Sequence, residues 1–251
     1  MSIRRVATPH VAQPLQLHVL GSVELRGTAS SVELLSQPKR LAVLVYVALA
    51  QPHGFHRRDT VAALFWPEQS DFHARAALRK ALHGIRQSLG EGVLLTRGDE
   101  EVAVDREQLW CDAHAFDLAI VNEQFARALE LYRGELLDGF FPDAPGFERW
   151  LATERPRYRE SAGHAAWALA ERYESGSDLT LATRWARKAA KFAGADERRI
   201  RRVLSLLDRA GDRAGAMRVY EEFAEYLRTE LDVEPSAETQ TLVKAMRGVR
   251  P

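Results

Sequence analysis

Across residues 72–89 (FHARAALRKALHGIRQSL) the apolar side chains return every three or four positions, with Leu78, Leu82, Ile85 and Leu89 on one face. That is the period of an amphipathic helix. Gly90 ends it, and Ser70 or Asp71 in the polar run Pro67-Glu68-Gln69-Ser70-Asp71 suits its N-cap. Upstream, Val61, Leu64 and Phe65 predict a short helix over 57–65, halted by Pro67. Residues 38–50 predict another, with Pro38 in its first turn. Residues 15–36 predict short strands interrupted at Gly21 and Gly27, and residues 93–105 a hairpin around a Gly98-Asp99 turn. Strands, three helices, then a hairpin is the order of a winged helix-turn-helix.

After Asp112 the pattern turns helical almost to Met246, broken mainly by the proline- and glycine-rich loop 138–146. Ala166, Leu169, Ala170, Tyr173, Ala182, Ala186 and Ala189 are matched 34 positions on by Ile200, Val203, Leu204, Leu207, Ala216, Tyr220 and Phe223. That period is the signature of tetratricopeptide helix pairs, in which small residues let antiparallel helices approach. Asp178 and Asp212 share the turn position, and Ala128 and Tyr132 hint at a weaker copy upstream. The expected fold is therefore mainly α with a small β component. A flexible tail (1–14) precedes a winged-helix domain (15–110) and a tetratricopeptide-like helical repeat domain (111–251), with the boundary near 106–112.

Residues 39–50, KRLAVLVYVALA, place two cations before ten apolar residues and end like a signal-peptide cleavage site. A secretory signal sits at the N-terminus, however, and a bilayer span needs roughly 20 apolar residues. A buried core helix in a cytoplasmic protein, with no membrane contact, is the reading that fits. Cys111 is the only cysteine, so no intramolecular disulfide can form.

The formal net charge is +0, but the charge is unevenly spread. Between Ser36 and Gly90 stand Lys39, Arg40, Arg57, Arg58, Arg75, Arg79, Lys80 and Arg86, against only Asp59, Glu68 and Asp71. Arg75, Arg79 and Arg86 cluster beside the apolar face of the 72–89 helix, with His83 close by and Lys80 further round. Such clustering suits the phosphates of double-stranded DNA, whose counterions it would release. A helix presenting arginines suits the major groove, where Arg pairs with guanine O6 and N7. Arg57 or Arg58 would meet phosphates from the preceding helix, and Arg97 would do so from the hairpin. Gly84 weakens the helix by roughly 1 kcal/mol relative to Ala, and Asp99-Glu100-Glu101 at the hairpin tip repels DNA.

Catalysis is not expected: there is no glycine-rich phosphate loop and no pattern that singles out a nucleophile. His53/His56 and Cys111/Asp112/His114 lack a second pair at metal-ligand spacing, so neither a metal nor another cofactor is expected. Trp167, Tyr173 and Trp185 could line a small-molecule pocket, although their spacing is that of a core.

The run ARAALRKALHGIRQSLG (74–90) followed by LLTR (94–97) resembles the recognition helix and wing of SARP-type antibiotic regulatory proteins, whose DNA-binding part is an OmpR-like winged helix. FERWLATERPRYRE (147–160) and RAGDRAGAMRVYEEFAEYLRTELDVEPSAET (209–239) resemble the bacterial transcriptional activator domain. The resemblance implies an activator that binds promoter direct repeats, pairs there as a homodimer and recruits RNA polymerase. It places Arg75, Arg79, His83 and Arg86 in the recognition helix and Arg97 in the wing, and it turns the loop 67–71 towards polymerase. Arg79 and Lys80 stand where such proteins commonly carry uncharged residues, and Gly84 where arginine is frequent. Larger relatives continue beyond these two domains, so the chain is expected to be a small stand-alone regulator or a fragment of a longer one. The alternative is a protein-interaction module, built on the repeats, that has lost DNA binding.

Overall fold

The computed structural model describes residues 15–27 and 31–248. The expected tail over 1–14 lies outside them, as do residues 28–30 of the stretch expected to form strands. In chain order the elements are β1 (Leu15–His18), β2 (Glu24–Arg26), α1 (Ser31–Leu35), α2 (Pro38–Leu49), β3 (His56–Arg57), α3 (Arg58–Phe65), α4 (Asp71–Leu89), β4 (Leu94–Arg97), β5 (Glu101–Val104) and β6 (Leu109–Cys111). Helices follow: α5 (Asp112–Val121), α6 (Phe125–Leu131), α7 (Pro145–Ser175), α8 (Leu179–Ala190), α9 (Glu197–Arg209), α10 (Arg213–Leu231) and α11 (Ala237–Met246). The described residues are thus mainly helical, with small sheets.

They divide into two compact units. One comprises the described residues up to His114 together with Leu137–Leu151; the other comprises Ala115–Leu136 and the described residues from Ala152 onward. Residues 137–151 therefore pack with the first unit, whereas a division at 106–112 puts them in the helical half. Aromatic packing accounts for this: Phe147 stacks on Phe65 at 5.5 Å and Trp150 meets Tyr46 at 5.2 Å. The Leu137 N–H also donates to the Val19 carbonyl at 2.7 Å.

In the first unit, β1 pairs antiparallel with β2 and parallel with β6, Leu17 lying opposite both Leu25 and Cys111. A second sheet has the order β3-β5-β4. Neither β3 nor β6 is legible in the sequence, because each is only two or three residues long and is made by its partner strand. Residues 31–35 are helical where the sequence predicts a strand: Leu34 is buried, and α1 packs on α2 and α4. Tertiary packing overrides a local β preference here. The Asp112 carboxylate, 1% exposed, accepts the N–H groups of Val19 (2.8 Å) and Leu20 (3.2 Å), tying the end of β1 to the start of α5. Burial pushes its carboxyl above the ordinary range, against the pull of those bonds and of His18. Pro38 does open α2, which buries an almost unbroken run from Leu41 to Leu49.

In the second unit, Asp178, Asp196, Asp212 and Ser236 each accept the N–H three residues on, capping α8, α9, α10 and α11. Asp178 and Asp212 are the pair that share the 34-residue register. Ala170, Ala182, Ala186 and Ala216 are fully buried beside Ile200, Leu204 and Leu207, and Trp167, Tyr173 and Trp185 pack against that core. The segment Leu231–Ser236 forms the α10–α11 turn. Asp232 is left-handed (φ 54°), and Glu197 accepts hydrogen bonds from the Ser236 N–H (3.0 Å) and from the Ser236 and Thr239 hydroxyls.

Gly146 permits a close approach of α7 to α3, since a Cβ there would meet the Leu64 carbonyl oxygen at 2.2 Å. That neighbour is backbone and cannot move aside. Gly146→Ala is expected to lower stability by about 1–3 kcal/mol, as overpacking does, read as a drop in thermal midpoint. Glu197 sits below the ordinary carboxylate range: burial opposes this, but hydrogen bonds from Ser236 and Thr239 and the charge of Arg201 prevail. A depressed carboxyl stabilises the fold above its unfolded value, and the effect disappears as pH falls. Glu197→Gln should melt lower than the parent at neutral pH, with the difference closing below about pH 4.

Candidate nucleic-acid interface

Helix α4 buries the stripe the period predicts: Leu78, Leu82, Ile85 and Leu89 are between 0% and 8% exposed. It packs on α1, α2 and α3. Burial of that stripe leaves the opposite arc in solvent, where Phe72, Ala76, Arg79, His83 and Gln87 follow one another at three- and four-residue spacing. Phe72 is 78% exposed. His83 lies at the middle of this arc, with Lys80 exposed on one side of it.

The arginines expected to form one row divide into two groups. Among the described residues Arg79, on the open arc, has no carboxylate paired with it. Arg75 and Arg86 fall at the arc's edge, where Arg75 donates to Asp59 at 2.7 Å and the half-buried Arg86 faces Glu91 at 3.7 Å. Arg57, at the N-cap of α3, is exposed. Arg58 is drawn towards the hairpin: its N–H donates to the Glu100 carbonyl (2.8 Å) and its guanidinium faces Asp99 at 3.8 Å. Arg97 pairs with Glu101 at 3.1 Å and lies 4.1 Å from the centre of the Phe55 ring.

A cleft of about 240 Å³ lined by Arg58, Asp59, Arg75, Arg79, Asp99 and Glu100 thus balances three cations with three acids. The hairpin acids act on this cleft, and they account for the pairing of Arg58. The loop Pro67-Glu68-Gln69-Ser70-Asp71 is exposed throughout. Ser70 occupies the N-cap of α4, but its hydroxyl makes no capping bond and meets His73 Nδ1 at 2.8 Å instead. Beside the loop lies a hollow of about 350 Å³ walled by Ala62, Ala63, Trp66, Pro67, Ala74 and Arg75. Among the described residues no cluster of three or more His, Cys, Asp or Glu side chains could hold a metal ion.

Phe72 and Ala76 escape a reading that seeks charge alone. Centring the helical projection on His83, the middle of the exposed arc, would have placed them on the same face.

The bacterial transcriptional activator domain family matches residues 97–247, more than half of the chain, and the chain belongs to that family. No curated protein matches it. Among solved structures it is similar to Mycobacterium tuberculosis EmbR in complex with a low-affinity phosphopeptide. That likeness has 18% identity and a TM-score of 0.57, and it covers 94% of this chain and 66% of that one. At that identity the likeness concerns the fold. No helix among the described residues is long and apolar enough to cross a membrane.

Proposed function

We propose that the chain is a SARP-type transcriptional activator whose first unit is an OmpR-like winged helix and whose second is a tetratricopeptide-like repeat domain. The observation that carries this reading is the solvent-facing arc of α4, where Phe72, Ala76, Arg79 and His83 stand unobstructed between flanking cations. In the major groove, Arg79 would pair with guanine O6 and N7, and Phe72 and Ala76 would offer apolar contact to a thymine methyl. Lys80 and Arg57 would neutralise phosphates. Arg75, Arg86, Arg58 and Arg97 would join them once DNA phosphates displace their carboxylate partners, since surface pairs of that kind are worth only about 0–1 kcal/mol. The exposed loop 67–71 would face RNA polymerase, and two copies would meet on direct repeats. The protein would act without catalysis, in the cytoplasm.

A second reading has one observation behind it. The hairpin acids engage Arg58 and Arg97, which weakens the pull on DNA and favours a repeat-based interaction module instead.

Selecting bound duplexes from random DNA with the full chain separates the two readings. On the first, a sequence emerges, and its affinity falls steeply with salt. Arg79→Ala and His83→Ala are each expected to weaken that complex by about 1–3 kcal/mol and to relax one base position. Phe72→Ala should weaken it only where thymine carries its methyl, so replacing that thymine with uracil should cost the parent affinity and leave the variant unchanged. Recovery of no preferred sequence, together with a shallow salt dependence, would establish the interaction module instead.

A further inference from the structure

Gly84 lies within α4, where glycine costs the helix roughly 1 kcal/mol relative to alanine. The space a side chain would fill there is already taken. A Cβ built on Gly84 would lie 2.6 Å from Arg40 Nη1, 2.7 Å from its Cζ and 3.0 Å from its Nε. The guanidinium group of Arg40, from the first turn of α2, therefore lies flat on the α4 backbone. Arg40 is partly exposed. None of its nitrogens is among the buried unpaired atoms, and no carboxylate among the described residues is paired with it. A half-exposed cation with a dedicated seat and no protein acceptor lies ready for an anion from outside.

Its position says which anion. Gly84 is nine residues beyond Arg75, half a turn around a helix that rotates about 100° per residue. It neighbours Lys80 and Gln87 at the four- and three-residue spacing of adjacent positions. Arg75 and Arg86 border one side of the exposed arc, and Arg40 with Lys80 borders the other. A helix lodged in a groove about 12 Å wide has a phosphate backbone along each side. Resting on the DNA-binding reading above, we propose that Arg40 is a phosphate-contacting residue of the interface. Helix α2 supplies it across the glycine of α4, and it serves the backbone strand opposite the one served by Arg75 and Arg86.

The test uses the full chain and two labelled duplexes of equal length, one selected from random DNA by the unmodified protein and one unselected. A phosphate contact is blind to sequence. Arg40→Ala is therefore expected to lower affinity for both duplexes alike, roughly 3- to 10-fold near 0.1 M salt, and to make the log–log salt slope shallower by about 0.9. Arg40→Lys, which keeps the charge, should retain most of the slope. Gly84→Ala should displace the guanidinium and give part of the Arg40→Ala loss, while adding little in the double variant. Thermal melting confirms that each variant is folded. An unchanged salt slope in Arg40→Ala would overturn the assignment while leaving the DNA-binding reading intact. A loss confined to the selected duplex would also overturn it, by making Arg40 a base contact. Absence of salt-dependent binding by the unmodified chain would overturn both.

Discussion

A helix buried along one stripe has no choice about what it exposes. In α4 the constraint is set by Leu78, Leu82, Ile85 and Leu89. Burying each such side chain stabilises the fold by about 1.5–3 kcal/mol. Rotating the helix to hide Arg79 or His83 would bring those four into water and place charges in an apolar interior, a double penalty. The exposed arc is therefore held by the core rather than by contacts of its own. Asp112, Phe147 and Trp150 extend the same logic through the first unit, because each fixes a segment on which the helices pack.

Charge is arranged around that arc with restraint. The chain is neutral overall, and the cations nearest the hairpin meet acids at 3–4 Å. Exposed pairs of this kind hold a geometry weakly and yield readily to a stronger anion. What they do is lower indiscriminate affinity, since every neutralised cation is one fewer counterion released. Among the described residues, cations without such partners, such as Arg79 and Lys80 on α4, Arg57 at the start of α3 and Arg40 across Gly84, then carry a larger share of any attraction. In the second unit the charges do different work. Asp178, Asp196 and Asp212 cap helices, and Arg157 bridges Asp117 and Glu154.

Much of this was legible in the residues. The α4 stripe, the proline start of α2, the hairpin and the 34-residue register with its two capping aspartates follow from periodicity and turn chemistry, which are local. What escaped is non-local. Strands β3 and β6 exist because distant partners pair with them, and α1 is helical because Leu34 finds a core. Residues 137–151 join the first unit because Phe147 reaches Phe65, more than eighty residues back. Gly84 read as a defect in a helix, and only the fold reveals the side chain from α2 that fills its place. Likewise, the sequence groups the arginines by spacing but cannot say which of them a carboxylate has already engaged.

The sole cysteine, Cys111, is buried, so a thiol introduced on the surface can be followed alone. The most direct measurement places that thiol at residue 83, in the middle of the exposed arc, or at residue 218 on α10. It then compares alkylation rates with and without a duplex selected by the unmodified chain. If the open face of α4 is what meets DNA, the duplex will slow modification at 83 severalfold and leave 218 unchanged. With duplex at a concentration that saturates both variants, equal rates at 83 in the free and DNA-bound protein would contradict the account at its centre.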